Sequence, residues 1–238
     1  MKNHRQPIVP LCLALIIFGC LGKVPFAQQA GNLRTVDQVL ERMGAVGKSF
    51  RSFEAKFTQR QYIAVLKEFD SPESGVFQYA RAKDGSALLR QETRTPGVRI
   101  LTIKGGVATI YQPKINQASI VNLGKNKDKA EYLALGLGQS PGKLRETFDI
   151  EFLGEESIDG AACSVLALKP KSSATAAFFS SFTLWIKNAT HVPIQQKLEE
   201  PNGNYLLVKF TAEKLNAPIS ASQFDQKLPR GTEIQEIK

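Results

Sequence analysis

Gly75-Val76-Phe77-Gln78-Tyr79-Ala80-Arg81 is the stretch that decides the fold. Phe77, Tyr79 and Arg81 fall at every second position. A β-strand would turn all three to one face, because successive side chains alternate across the sheet. An aromatic row that ends in a guanidinium is unusual, since a cation against apolar surface is costly unless something bonds it. Arg81 is therefore either an edge residue whose head reaches water or a polar clasp inside an apolar groove.

Working outward, the same period of two recurs on both sides. Phe53, Ala55 and Phe57 alternate with Glu54, Lys56 and Thr58. Candidate strands run over 52–65, 74–82, 86–94, 97–104, 107–113 and 115–122, then over 147–154, 161–169, 180–188, 191–200 and 203–213. Asp84-Gly85, Pro96-Gly97, Gly105-Gly106, Asp159-Gly160 and Asn202-Gly203 punctuate them as turns. These are antiparallel hairpin spacings and not βαβ units.

Helical spacing appears in three places. Leu33, Val36, Val39, Leu40, Met43 and Val46 form one apolar stripe, opened by a capping-box pair, Thr35 and Gln38, and loosened at its end by Gly44 and Gly47. A second segment covers 129–137, with Tyr132, Leu133, Leu135 and Leu137. A third, about 140–146, starts at Ser140-Pro141. Lys171 to Ala177 reads as a small polar loop. The fold expected is mainly β with some α: an open antiparallel half-barrel of 10 or 11 strands, its apolar face covered by the N-terminal helix and two short mid-chain helices.

The first residues carry a different signal. Lys2 and Arg5 precede an uncharged apolar core from Leu11 to Leu21, and small residues follow at Ala27 and Ala30. This reads as an export signal over 1–27, leaving a single domain over 28–238. The alternative is a lipoprotein signal over 1–19, in which Ile17-Phe18-Gly19-Cys20 acts as a lipobox and Cys20 carries lipid. Of three cysteines, Cys12 and Cys20 lie in this leader, so no internal disulfide is expected and Cys163, in an apolar run, reads as a buried thiol. Removal of Lys2, Arg5 and Lys23 lowers the net charge of +9 to about +6. The remaining basic residues are scattered without a stripe, which argues against nucleic acid as a partner.

Residues for chemistry are few. His191 is the one histidine outside the leader and stands at a strand start, where a structural role is the default. Gly138-Gln-Ser140-Pro-Gly142 has the letters of a nucleophile elbow but lies between two helix-like segments. No Cys/His spacing suits a metal, and no cofactor motif is present. Glu155-Glu156 and Glu199-Glu200 are adjacent pairs that point opposite ways on a strand. The chain is not expected to be an enzyme. What exceeds the needs of a plain sandwich is apolar: Leu133, Leu135 and Leu137 beside Tyr132, and Phe178, Phe179 and Phe182 after a polar loop. Each alone reads as core, but together with Phe77, Tyr79 and Arg81 they suit a cavity for an apolar ligand.

The order of these pieces resembles the LolA family of periplasmic carriers of outer-membrane lipoproteins. The matching residues are Phe53-Glu-Ala-Lys-Phe57-Thr-Gln59, Gly75 to Arg81, Gly105 to Pro113 with Tyr111-Gln-Pro113, and Gln117. Asn202-Gly203-Asn204, Asn216, Ile219, Phe224, Pro229 and Gly231 complete the pattern. Two steps depart from it: Arg81-Ala82 stands where the family has Arg-Pro, and Gly105-Gly106 where it has Asp-Gly. The resemblance implies a hydrophobic cavity under a helical lid. Its expected lining is Phe53, Phe57, Phe77, Tyr79, Leu89 and Leu101, with Ile103, Tyr111, Leu133, Leu137 and Phe182. It also implies that Arg81 latches the lid. The implied partners are acylated lipoproteins, an inner-membrane ABC transporter that donates them, and an outer-membrane acceptor or the outer membrane itself. A monomer in the periplasm is expected. A different reading of the same fold is a membrane-tethered sensor held through Cys20, or a carrier of another amphiphile such as a glycolipid.

Overall fold

The computed structural model describes residues 35–124 and 132–237. The leader expected at the N-terminus, and residues 125–131 at the start of the second expected helix, lie outside them. Helix α1 (Val36–Ser49) opens the described chain. Thr35 Oγ1 accepts from Gln38 N at 3.3 Å and Gln38 Oε1 accepts from Thr35 N at 3.1 Å, so the capping box predicted from sequence is formed. Gly44 and Gly47 do not loosen this helix, which continues to Ser49. They let it approach its neighbours: a Cβ at Gly44 would stand 2.7 Å from the Pro141 ring, and one at Gly47 would stand 3.3 Å from the Gln139 carbonyl.

The strands are β1 (Ser52–Ile63), β2 (Glu68–Phe69), β3 (Glu73–Arg81), β4 (Ala87–Thr95), β5 (Arg99–Lys104), β6 (Val107–Gln112) and β7 (Gln117–Asn122). After helix α2 (Pro141–Thr147) come β8 (Phe148–Ile158), β9 (Ala161–Pro170), β10 (Ser181–Lys187), β11 (Pro193–Glu199), β12 (Tyr205–Leu215) and β13 (Glu233–Ile237), with a single helical turn α3 (Ser173–Ala176) between β9 and β10. All 13 belong to one sheet ordered β13-β7-β6-β5-β4-β3-β1-β12-β11-β10-β9-β8, with β2 paired to β1. It is open: β13 and β8 are its edges. The eleven strands read from sequence are all present. The two additions are β2, a two-residue return of the first hairpin, and β13, which pairs parallel to β7. Neither is long or apolar enough to show a period. The turn α3 falls in the stretch read as a loop, where Ser172 Oγ accepts from Thr175 N at 3.1 Å and caps it.

The order has one topological consequence. The chain builds one half of the sheet outward from β1 to β7, then builds the other half inward from β8 to β12, which closes the seam against β1. The β7–β8 connection must therefore run from one side of the sheet to the other. Its described part, Tyr132 to Gln139 and α2, lies over the apolar face. Two-residue turns keep the hairpins in register: Ile158 pairs Ala161 across Asp159-Gly160, and Lys104 pairs Val107 across Gly105-Gly106. All four turn residues have positive φ, as this turn geometry requires.

Register makes the covered face continuous. Phe53 pairs Tyr79, Tyr79 pairs Leu89, Leu89 pairs Ile103 and Ile103 pairs Ala108, so one row crosses five strands. On the other half, Leu168, Phe182, Leu198 and Leu206 form the equivalent row. Cys163 is buried in β9; burial is the main cause that raises its thiol pKa, which keeps it protonated and unreactive.

Candidate functional site

The covered face holds two apolar clusters joined under one cover. The first gathers Phe50, Phe53, Phe57, Phe77, Tyr79, Leu89, Ile103, Leu137, Phe210 and their neighbours, with Leu101 and Leu133 half-buried against it. Phe53, Phe77 and Phe210 meet as a ring triad with centroids 5.1 to 6.3 Å apart. The second gathers α1 residues Val39, Leu40 and Met43 with Tyr132, Leu135, Phe148 and Phe182. Tyr132, Phe148, Phe179 and Phe182 form its aromatic centre. Leu133 packs against both clusters.

Ten of the eleven residues expected to line a cavity therefore meet here, eight on the sheet face and Leu133 and Leu137 in the segment over it. Tyr111 does not. Ala108 is on the covered face through its pairing with Ile103, and Tyr111 stands three residues further along a regular strand, so it points to the opposite face. There it is buried beside Ala118, and its hydroxyl donates to Asn116 Oδ1 at 3.1 Å. Phe182 lies in the second cluster, across the cover from Phe53 and Tyr79.

The cover is the run Tyr132 to Gln139. Past Tyr132 it is not a regular helix but a series of turns with positive φ at Gly136 and Gly138. Ala134, Leu135 and Leu137 are fully buried beneath it. Three polar contacts hold it. Gln196, itself 1% exposed, donates from Nε2 to the Leu135 carbonyl at 2.9 Å. Gly136 N donates to Gln139 Oε1 at 3.0 Å, and the Tyr132 hydroxyl pairs with Thr175 Oγ1 at 2.8 Å. Sequence reasoning missed Gln196. The signal was there: Ile194, Gln196 and Leu198 are the inward positions of β11, and a glutamine in that row needs a buried partner.

Arg81 closes one end of the aromatic row. Its guanidinium lies 5.9 Å from the Tyr79 ring centroid, and its Nη1 donates to the Gly85 carbonyl at 3.3 Å. Tyr79 is 5.8 Å from Phe50, whose ring occupies the space a side chain at Gly138 would need; a Cβ there would fall 2.4 Å from it. The tilted rings of Tyr79 and Phe50 thus link Arg81 to the cover. A second feature missed in sequence lies at the opposite end. Gln59, Glu73, Gln91 and Arg99 occupy inward positions and join into one network. Gln91 donates to Gln59 at 3.0 Å, Gln59 donates to Glu73 at 2.7 Å, and Arg99 bonds Glu73 through both terminal nitrogens at 3.0 and 2.7 Å. The apolar strip is bounded by polar groups at both ends.

Beside the cover a cavity of about 650 Å³ opens to solvent, lined by Leu133, Ala177, Phe178, Phe179, Glu200, Pro201 and Asn202. Ser140 is not placed for nucleophilic chemistry; its hydroxyl accepts from Lys143 N at 3.2 Å and caps α2. His191 sits in the β10–β11 turn with φ 57°, its amide donating to the Lys187 carbonyl at 2.7 Å. Among the described residues no group of three or more His, Cys, Asp or Glu could hold a metal ion, and no helix is long and apolar enough to cross a membrane.

The fold has a solved counterpart, an uncharacterised conserved protein from Thermus thermophilus. That structure aligns with 84% of this chain and 98% of its own at a TM-score of 0.51 and 15% identity. Two outer-membrane lipoprotein carrier proteins are similar in sequence, one from Azotobacter vinelandii at 27% identity and one from Pseudomonas syringae pv. syringae at 26%, each over 147 residues. The match covers 62% of this chain and 66% of the length of each relative. The family model for the outer membrane lipoprotein carrier protein LolA matches residues 48–227, from the end of α1 to beyond Phe224. The chain belongs to the LolA outer-membrane lipoprotein carrier family.

Proposed function

We propose that this protein is an exported periplasmic carrier that holds the acyl chains of lipoproteins against its covered face and moves them from the inner to the outer membrane. The observation that carries this reading is the cover. A sheet face this apolar is sealed by one irregular segment with few polar ties, set beside α1 and α2, and not by a second sheet. Acyl chains entering beside Leu133 would take the place of Ala134, Leu135 and Leu137 over the two aromatic clusters.

The magnitudes favour such a design. Each buried methylene is worth ~0.8 kcal/mol, so an acyl chain of ~15 methylenes costs about 12 kcal/mol to expose. Three such chains exceed the practical ceiling of noncovalent affinity, about 18–21 kcal/mol, so a site that fully buried them would never release them. A cover that competes for the same surface lowers the net affinity, because closing it recovers part of the burial lost on release.

In this reading Arg81 is the latch. Its planar fork can hold backbone carbonyls while lying over a ring, which lysine cannot reproduce. Through Tyr79 and Phe50 it favours the seated cover. Replacement by leucine keeps the apolar contact and removes the clasp. Expected for Arg81→Leu are normal loading of acylated lipoprotein and release to acceptor membranes slowed by roughly tenfold, the effect of losing ~1.4 kcal/mol of closure. Release at the wild-type rate removes Arg81 from the mechanism. Native mass spectrometry of protein purified from periplasm tests the cargo itself: the reading needs bound acylated species, and a diacylglyceryl group on Cys20 would turn it to a tethered sensor.

A further inference from the structure

A second hollow lies on the other face of the sheet, at the end where β1 begins and where β3 and β5 end. Its volume is about 780 Å³, within the usual range for small-ligand sites. The register puts it outside the covered face. Ala80 and Leu88 alternate with Tyr79 and Leu89, and Lys104 alternates with Ile103, so all three point away from the clusters above. The segment after β12 forms the far wall. It is fastened by Asn216, whose Oδ1 accepts from Arg51 N at 2.7 Å, and by Ser52, whose Oγ donates to the Ala217 carbonyl at 2.6 Å.

The lining divides by chemistry. Ala80, Leu88 and Phe224 are buried together as a small apolar cluster, with Ala82 and Ile219 against it, and make the floor. Arg51, Arg81, Lys83 and Lys104 also line the hollow, and among the described residues no aspartate or glutamate does. Asp225, just outside, answers Lys104. Arg51 and Lys83 are exposed at the mouth. An apolar floor of this size is not packed shut by its own side chains, as protein interiors normally are. With Lys104 met by Asp225, Arg51 and Lys83 at the mouth are the cations that select for negative charge.

We propose that this hollow is a binding site for a single-chain anionic amphiphile, with a carboxylate or phosphate head at Arg51 and Lys83 and its aliphatic chain over Leu88, Ile219 and Phe224. Guanidinium and ammonium groups suit both head chemistries. The tail needs only the apolar floor. The hollow shares Phe50 and Arg81 with the acyl-binding face proposed above, but Arg51 and Lys83, which would hold the head, take no part in that reading.

Calorimetric titration of the purified protein with dodecanoate, below its micelle concentration, tests the site. Decyl maltoside serves as an uncharged tail, inorganic phosphate as a head alone, and a lysophosphatidate as the phosphate-headed lipid. Dodecanoate should saturate one site, more weakly as salt rises, and the charge-reversed double variant Arg51→Glu/Lys83→Glu should bind it at least tenfold less tightly. Ile219→Asp should weaken it similarly while leaving the wild-type melting profile. A lysophosphatidate bound more tightly than dodecanoate assigns the head to a phospholipid, and the reverse order assigns it to a free fatty acid. Unchanged dodecanoate binding in the charge-reversed variant, or phosphate alone binding as tightly as either lipid, overturns the proposal. The carrier reading is tested apart from this site: absence of bound acylated species in native mass spectrometry overturns it and leaves this site standing.

Discussion

Gly75 shows how one atom can set a register. It pairs Phe57 in β1 and Thr93 in β4, beside an irregular step in the β3–β4 ladder. A Cβ there would fall 1.8 Å from the Glu92 carbonyl oxygen and 3.0 Å from the Phe57 ring. Backbone cannot yield that distance without breaking the ladder. Gly75→Ala is expected to destabilise the protein by ~2–3 kcal/mol, read as a shift of the denaturant midpoint with an unchanged slope. Glu54 and Glu199 act at the same scale through charge. A hydrogen bond from Gln78, and then Lys214, hold the Glu54 carboxyl below its ordinary range; Lys197, and then Ser181, do so for Glu199. Both carboxyls bind protons less readily in the folded chain than in the unfolded one. Their stabilisation is therefore complete above the unfolded value near ~4.3 and is lost as pH falls through the lower folded values. In Glu54→Gln/Glu199→Gln the melting temperature should fall less steeply than in wild type as pH drops from about 5 towards 3.

At the scale of elements, the segment from Tyr132 to Gln139 and strand β11 form one unit through Gln196. Its amide reaches the Leu135 carbonyl in a fully buried setting. Gln196→Leu removes the donor and strands that carbonyl, at a cost of ~1–3 kcal/mol. Because the contact ties only the cover, the loss should appear as faster hydrogen exchange over 132–139 while β9 and β10 keep their protection. Equal acceleration across the sheet would show that the cover has no independent opening. Phe182, in contrast, joins the cover's Tyr132 to Phe148 and Phe179 by ring contacts at 5.1 to 5.5 Å. Phe182→Ala should cost ~3–5 kcal/mol globally, measured by denaturant unfolding. Comparing the two variants separates a fastening of the cover from the core beneath it.

Across the whole molecule, two halves of the sheet meet at the β1–β12 seam, and the described part of the β7–β8 connection lies over the apolar face. The topology supplies the cover without a dedicated domain. It also leaves the two ends of the sheet unlike one another: the aromatic row stops at Arg81 on one side and at the Gln59–Glu73–Arg99 network on the other. Disrupting that network should alter this end of the apolar strip without touching the hydrophobic clusters. Arg99→Ala is expected to change stability by under ~1 kcal/mol, as for other half-exposed pairs, so any slowing of acyl-probe entry in stopped-flow fluorescence would be a property of that end.

The amino-acid sequence by itself determined the strand-rich class, the eleven long strands, the capped first helix and the aromatic row ending in Arg81. These are local: alternation of period two, turn residues with positive φ and a capping box all act within a few positions of the chain. Gly44 and Gly47 read as weak points in that local view, yet each is small because another element comes close. Only the tertiary structure decided that Tyr111 turns away from the other lining residues, since its face depends on the register counted from Ile103 and Ala108. Only the tertiary structure revealed Gln196 under the cover, the polar network at the end of the apolar strip and the cationic hollow behind Leu88. Each of those brings together residues far apart in sequence, and pairing at that distance follows from packing and not from any period along the chain.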